Sequence, residues 1–122
     1  MAKVIGLGGI FFKSDNPAKL CKWYAEHLNM SLTEYGAIEF KPDTLPPNAI
    51  SVFSAFKKDT EYFNPSSKDF MLNLIVDNVE EALNQAKEGG AEIVGKVEEY
   101  DYGKFGWFID PEGNKIELWK PA

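Results

Sequence analysis

The sequence is poor in the residues that build disulfides, metal centres and nucleic-acid interfaces. Of its 122 residues one is cysteine, Cys21, and one is histidine, His27. A lone cysteine excludes an internal disulfide and fits a reducing compartment. Lys and Arg number 13 against 19 Asp and Glu, for a net charge of −6. A phosphate backbone calls for clustered basic residues, so no nucleic acid is expected as partner, and no anionic membrane surface. No apolar run approaches the ~20 residues that span a bilayer. Met1 is followed by Ala2-Lys3-Val4, without the charged-then-apolar pattern of a secretion signal. A cytoplasmic location is the expectation.

What is present is core material. Hydrophobic residues make up 44% and aromatics 14%, enough for one compact unit or two small modules sharing a core. Lys3 to Phe12 is apolar, β-branched or aromatic between glycines and predicts a strand. Asn16 is a natural N-cap, and Pro17 suits the first helical position, where its missing N–H costs nothing. Leu20, Trp23, Tyr24 and Leu28 then recur at helical spacing, and Asn29 suits the residue after the helix. Short strands are expected at 31–35, 38–41 and 49–56, with a proline-rich loop at 42–48. Residues 58–68 lack periodicity and read as a linker.

The order then repeats. Residues 70–76 predict a strand. Asp77-Asn78 opens a helix carrying Val79, Ala82, Leu83 and Ala86 on one face, and Gly89-Gly90 ends it. Strands are expected at 92–97, 102–109 and 115–120. Asp110-Pro111-Glu112-Gly113-Asn114 forms a turn between the last two. Asp15-Asn16 and Asp77-Asn78 hold the same place in each half, as do Asn48-Ala49-Ile50 and Asn114-Lys115-Ile116. The expected fold class is α+β: two βαβββ modules, 1–57 and 69–122, forming curled mixed sheets around a shared cavity.

The run Asp110 to Trp119, the opening Gly6 to Lys13 with Trp23 to Leu28, and the stretch Phe70 to Val79 resemble the vicinal oxygen chelate superfamily. This is the glyoxalase/bleomycin resistance/dioxygenase group. The resemblance implies outer helices, a cavity for a small molecule and often a homodimer. It fixes no reaction, since the group spans lyases, isomerases, ring-cleaving dioxygenases, transferases and non-catalytic drug-sequestering proteins. It also implies a divalent metal held from each module's first and last strands. Carried onto this chain, those positions are Gly9, Ser51, Met71 and Glu117. Glycine has no donor, a thioether is soft, a serine hydroxyl is a poor ligand, and one carboxylate remains of the roughly three ligands a catalytic centre needs. The expectation is therefore no metal and no cofactor.

Strand alternation places Leu7, Gly9, Phe11, Ser51, Phe53, Met71, Asn73, Ile75, Glu117 and Trp119 on the concave face, with Trp107 joining if its register allows. Phe11, Ser51, Phe53, Met71, Asn73, Trp107 and Trp119 are the expected ligand-binding residues. Glu117 is the candidate catalytic group, since burial among apolar side chains would raise its pKa and fit it to act as a base or to anchor a cation. Each feature also has a plainer reading: a solvated Glu117, core aromatics, a gap-filling Met71, an inert Cys21, a partly exposed His27, and solvated faces at Glu80-Glu81 and Glu98-Glu99. Tyr100-Asp101-Tyr102 reads as a turn with aromatic anchors, or as a lid over the cavity. Gly6-Leu7-Gly8 is no dinucleotide fingerprint, because Phe11 takes the third glycine's place and the glycines lie within a strand. Four functions compete: a metal-free binding protein, a metal-independent isomerase or lyase using Glu117, a metal-dependent lactoylglutathione lyase or dioxygenase with ligands from a second subunit, and an interaction module whose cavity is filled.

Overall fold

A computed structural model describes all residues, Met1–Ala122. Helix α1 runs Pro17–Leu28, followed by β1 (Ser31–Leu32), β2 (Ile38–Glu39) and a 3₁₀ turn at Pro42–Thr44. Then come β3 (Leu72–Ile75), α2 (Val79–Glu88), β4 (Glu92–Tyr100), β5 (Gly103–Ile109) and β6 (Lys115–Pro121). The class is α+β, with two helices and two sheets.

Local chemistry sets the helix ends. The Asn16 side chain accepts from Lys19 N at 3.1 Å, and that of Asn78 from Glu81 N at 2.9 Å. Each satisfies an N–H that the first turn leaves unpaired. Asn29 closes α1 in the left-handed region, φ 55°.

The larger sheet has the order β3-β6-β5-β4. β3 and β6 pair in parallel, with Asn73 beside Glu117, and the other pairs are antiparallel. The order from β3 to β6, one strand, a helix and three strands, is the order expected for residues 69–122. One face buries Phe108, Ile116 and Leu118 against α1 and α2, with Leu72, Leu74 and Val76 packed beside them. Gly106 lies on that face because a Cβ there would stand 2.7 Å from Leu83 Cδ1 and 2.9 Å from Val79 Cγ1. The missing side chain lets α2 lie close on β5.

The first half departs from expectation. β1 and β2 are two-residue strands, and Lys3–Phe12 and Ala49–Phe56 lie outside both sheets. Phe11 and Phe53 are 97% and 94% exposed. Apolar residues suit a segment to a sheet but do not supply the neighbouring strand whose N–H and C=O groups hold it there. Gly6, Gly8 and Gly9 weaken the first segment further. The concave positions assigned to Phe11, Ser51 and Phe53 are therefore corrected: none of the three faces a sheet cavity within this chain.

The turn between β5 and β6 ties the halves together. Asp110 is buried. Its Oδ1 accepts from Glu112 N at 2.9 Å and Asn114 N at 3.0 Å, and its Oδ2 accepts from Asn114 Nδ2 at 2.9 Å and Tyr24 Oη at 2.7 Å. Glu112 in turn accepts from Ser14 Oγ at 2.8 Å and Asp15 N at 2.9 Å. The segment that carries the family resemblance is thus a clamp on the start and body of α1.

Burial, then the neighbouring Asp110 charge and bond, hold the Tyr24 hydroxyl far above the usual tyrosine range. A raised folded pKa keeps the proton on the native state after the unfolded chain begins to lose it. Stability from this group is complete below about pH 10 and falls as pH rises beyond it, by up to ~1.4 kcal/mol per pH unit. Tyr62 shifts in the same direction, and Lys115, lowered by burial, acts in the opposite one. Comparison with Tyr24→Phe isolates the first contribution. Urea melts from pH 8 to pH 11 should show a shallower alkaline fall in the variant, and an equal slope would assign the fall elsewhere.

Candidate ligand pocket around Glu117

The site grows from strand parity. Gly106 and Phe108 point to the helices, so Phe105 and Trp107 point to the other face, where β5 sets Trp107 opposite Glu117 and Phe105 opposite Trp119. β3 adds Asn73 beside Glu117. On β4 the register shifts between Val94 and Glu98, and beyond that irregularity Glu98 pairs with Phe105 and Tyr100 with Gly103. Alternation along β4 is kept through the shift, with Ile93 and Val97 on the core side. Glu98 and Tyr100 therefore lie on the same face as Phe105 and Trp107, and the shift sets Glu98 opposite Phe105.

Glu117 is buried, 8% exposed, and accepts three hydrogen bonds. Its Oε2 takes Tyr62 Oη at 2.5 Å and Trp107 Nε1 at 2.9 Å, and its Oε1 takes Asn73 Nδ2 at 2.7 Å. All three donors are neutral. The apolar setting expected for Glu117 is therefore corrected to a polar one, since a buried carboxylate without partners would be unstable. Burial, then the bond to Glu117, raises the Tyr62 hydroxyl above its ordinary value. The Lys115 ammonium donates to the Tyr62 carbonyl at 2.5 Å and stands 5.1 Å from the Tyr62 ring centre and 6.0 Å from that of Trp107. Desolvation lowers its pKa, and the Glu117 charge opposes that shift.

Above the carboxylate lies a pocket of ≈ 320 Å³. Its walls are the rings of Tyr62, Tyr100, Tyr102, Phe105 and Trp107 with the carboxylates of Glu98 and Glu117. The volume and aromatic lining suit a small organic molecule. Behind the wall the Trp119 ring stacks on Phe105, centroids 6.0 Å apart at 5°, and its Nε1 donates to Tyr102 O at 3.3 Å. Trp119 thus supports the pocket and does not line it. Met71 is half-buried and outside the lining. Of the expected site residues, Glu117, Asn73, Trp107 and Trp119 come together, and Phe11, Ser51 and Phe53 do not.

Five contributors escaped the sequence reading, Phe105 among them. Tyr62 lies in the linker, where no periodicity assigns a face. Glu98 was read as a solvated face because β4 was expected to end at Val97. Tyr100 and Tyr102 were read chiefly as anchors of an ordinary turn. They do flank one, with rings stacked 5.3 Å apart, yet both also face the pocket. The excess of aromatics between Tyr100 and Trp107 was the available signal.

The donor set does not fit the divalent metal that the fold implies. No three His, Cys, Asp or Glu side chains lie close enough to share an ion. Glu117 is already engaged by a phenol, an indole and an amide, and Gly9 and Ser51 lie on segments outside the sheets. Imidazole, which such metals favour, is limited to His27. That side chain lies on the outer helix α1 against Trp23, ring centroids 5.3 Å apart.

Solved structures resemble this chain in whole or in part. An integron cassette protein from the mobile metagenome of V. cholerae superposes with a TM-score of 0.51 at 20% identity, covering 88% of each chain. A member of the glyoxalase/bleomycin resistance protein/dioxygenase superfamily from Sphaerobacter thermophilus shares 28% identity over 40% of each chain, with a TM-score of 0.37. A hypothetical protein from S. aureus matches at 21% identity and a TM-score of 0.40, over 43% of this chain and 50% of its own. The matched region thus spans half or less of the last two proteins' length. No curated protein matches. A family profile described as a glyoxalase-like domain matches residues 9–119. With that match over nearly the whole chain, and a βαβββ sheet beneath it, the protein belongs to the glyoxalase-like domain family of the glyoxalase/bleomycin resistance/dioxygenase superfamily.

Proposed function

We propose that this protein is a metal-free small-molecule-binding protein whose site is the pocket beside Glu117. One observation carries the reading: a buried carboxylate, oriented by three neutral donors, forms part of an aromatic-walled pocket of ≈ 320 Å³. Such a group fixes the orientation of a ligand, and the rings supply contact area. Three donors take three of the about four acceptor directions of the carboxylate, which leaves one on Oε1 for a ligand.

The test is a small-molecule screen read by thermal stabilisation and by the Trp107 indole N–H resonance. Ligands of this site should move both. In Glu117→Gln their affinity should fall about tenfold or more, as expected for loss of a charge-assisted contact. Hits that bind the variant equally well would move the site elsewhere.

A second copy of the chain is the partner we propose for the first half. Phe11 and Phe53 are almost fully exposed, and Val4, Ile5, Ile50 and Val52 are exposed with them. Apolar segments outside any sheet are stabilised by pairing with another chain. Such pairing would also give Phe11, Ser51 and Phe53 a cavity to face. Light scattering should give the mass of a homodimer, and Phe11→Ser with Phe53→Ser should shift it to the monomer. A monomeric parent protein would remove this reading.

A further inference from the structure

We infer that the pocket selects an organic cation, a substituted ammonium ion bearing an aromatic or branched apolar group. The inference rests on the small-molecule reading above and gives that ligand a chemical class. Its basis is a carboxylate with no cation in direct contact. The three donors to Glu117 belong to Tyr62, Trp107 and Asn73, which hold the carboxylate in place without neutralising it. None of the protein's ion pairs includes Glu117. A second carboxylate, Glu98, stands in the same wall, held by Tyr100 Oη, and no lysine lines the pocket. The Lys115 ammonium acts on Glu117 without an ion pair between them, and a ligand that brings a cation into direct contact with a buried carboxylate gains most there.

The rings point to the same class. Aromatic faces attract cations through the ring quadrupole. Two of these rings already do so within the protein: the Lys115 ammonium stands over Tyr62 and Trp107. That lysine is bonded to the Tyr62 carbonyl and stays outside the pocket lining, so the cavity itself remains without a positive charge. An anion would meet two carboxylates. A neutral apolar ligand would desolvate Glu117 further and return nothing to it. A bare metal ion would find too few oxygen donors and no use for five rings. The net charge of −6 adds a field that favours cations on approach.

The experiment uses three probes of nearly one shape on the full-length, ¹⁵N-labelled protein: phenyltrimethylammonium, its neutral isostere tert-butylbenzene, and benzenesulfonate. The Trp107 indole resonance reports occupancy. The cation should bind about tenfold or more tightly than the neutral isostere, and the sulfonate should leave the resonance unmoved. Glu98→Gln, an exposed substitution that leaves the core intact, should weaken the cation about threefold to tenfold and leave the neutral probe unchanged. Equal binding of cation and isostere, preference for the sulfonate, or an unchanged cation affinity in Glu98→Gln would each overturn the inference while the small-molecule reading stands. Silence from all three probes, together with an empty library screen, would remove both.

Discussion

Asp110→Ala is expected to lower the stability of the fold by about 3–5 kcal/mol, with the urea midpoint falling and the m-value unchanged. The reason is the number of groups that one carboxylate satisfies. Two backbone N–H groups of the turn, the Asn114 amide and the Tyr24 hydroxyl all donate to it. Tyr24 is 6% exposed and Asn114 1%, so water cannot replace the lost acceptor without opening the core. Asn114 already holds one buried oxygen without a partner, which leaves little room for a second unmet group. Tyr24→Phe should cost only about 0.5–1.5 kcal/mol, since it removes one bond and leaves the turn bonded. Asp110→Asn should fall between the two, because one oxygen still serves the turn and the Tyr24 hydroxyl can turn to accept. If Asp110→Ala proved no worse than Tyr24→Phe, the turn would not depend on its carboxylate.

This turn also marks what could be read from sequence. Asp110-Pro111-Glu112-Gly113-Asn114 was legible because each residue has a local reason for its place. Gly113 takes φ 84°, and Asp110 N bonds Asn114 O at 2.9 Å. The caps Asn16 and Asn78 were legible for the same reason, and alternation in β3 and β6 sorted Leu72, Leu74, Ile116 and Leu118 toward the helices. Local rules ended where a partner was needed. Lys3–Phe12 reads as a strand by composition, yet no strand of this chain pairs with it. Tyr62 became part of the site through a bond to a residue 55 positions away. Glu98 came to stand opposite Phe105 through an irregularity in pairing between Val94 and Glu98 that composition does not announce. The donors that hold Glu117 come from three separate segments, which no local pattern links.

The second large effect is expected at Phe108, where alanine should remove about 3–5 kcal/mol, the usual range for truncating a buried phenylalanine. Phe108 is 0% exposed and sits between the sheet and both helices, its ring 5.9 Å from that of Trp23. A cavity there lies between rigid elements: Gly106, one turn of the pleat away, brings α2 so near to β5 that the helix has little freedom to settle further. The loss should therefore lie near the top of the range. The adjacent residue gives the contrast. Trp107 points to the opposite face, into the pocket, with its indole N–H on Glu117. Trp107→Phe keeps an aromatic wall and removes that donor, and Tyr62 and Asn73 still hold the carboxylate. Its stability cost should be about 1–2 kcal/mol, smaller than that of Phe108→Ala. Ligand affinity should respond in the opposite order: weakened in Trp107→Phe, and unchanged in Phe108→Ala at temperatures where that variant remains folded. Urea melts and ligand titrations on both variants check the two orders together. A single common order for stability and affinity would mean that the two faces of β5 do not divide core from site.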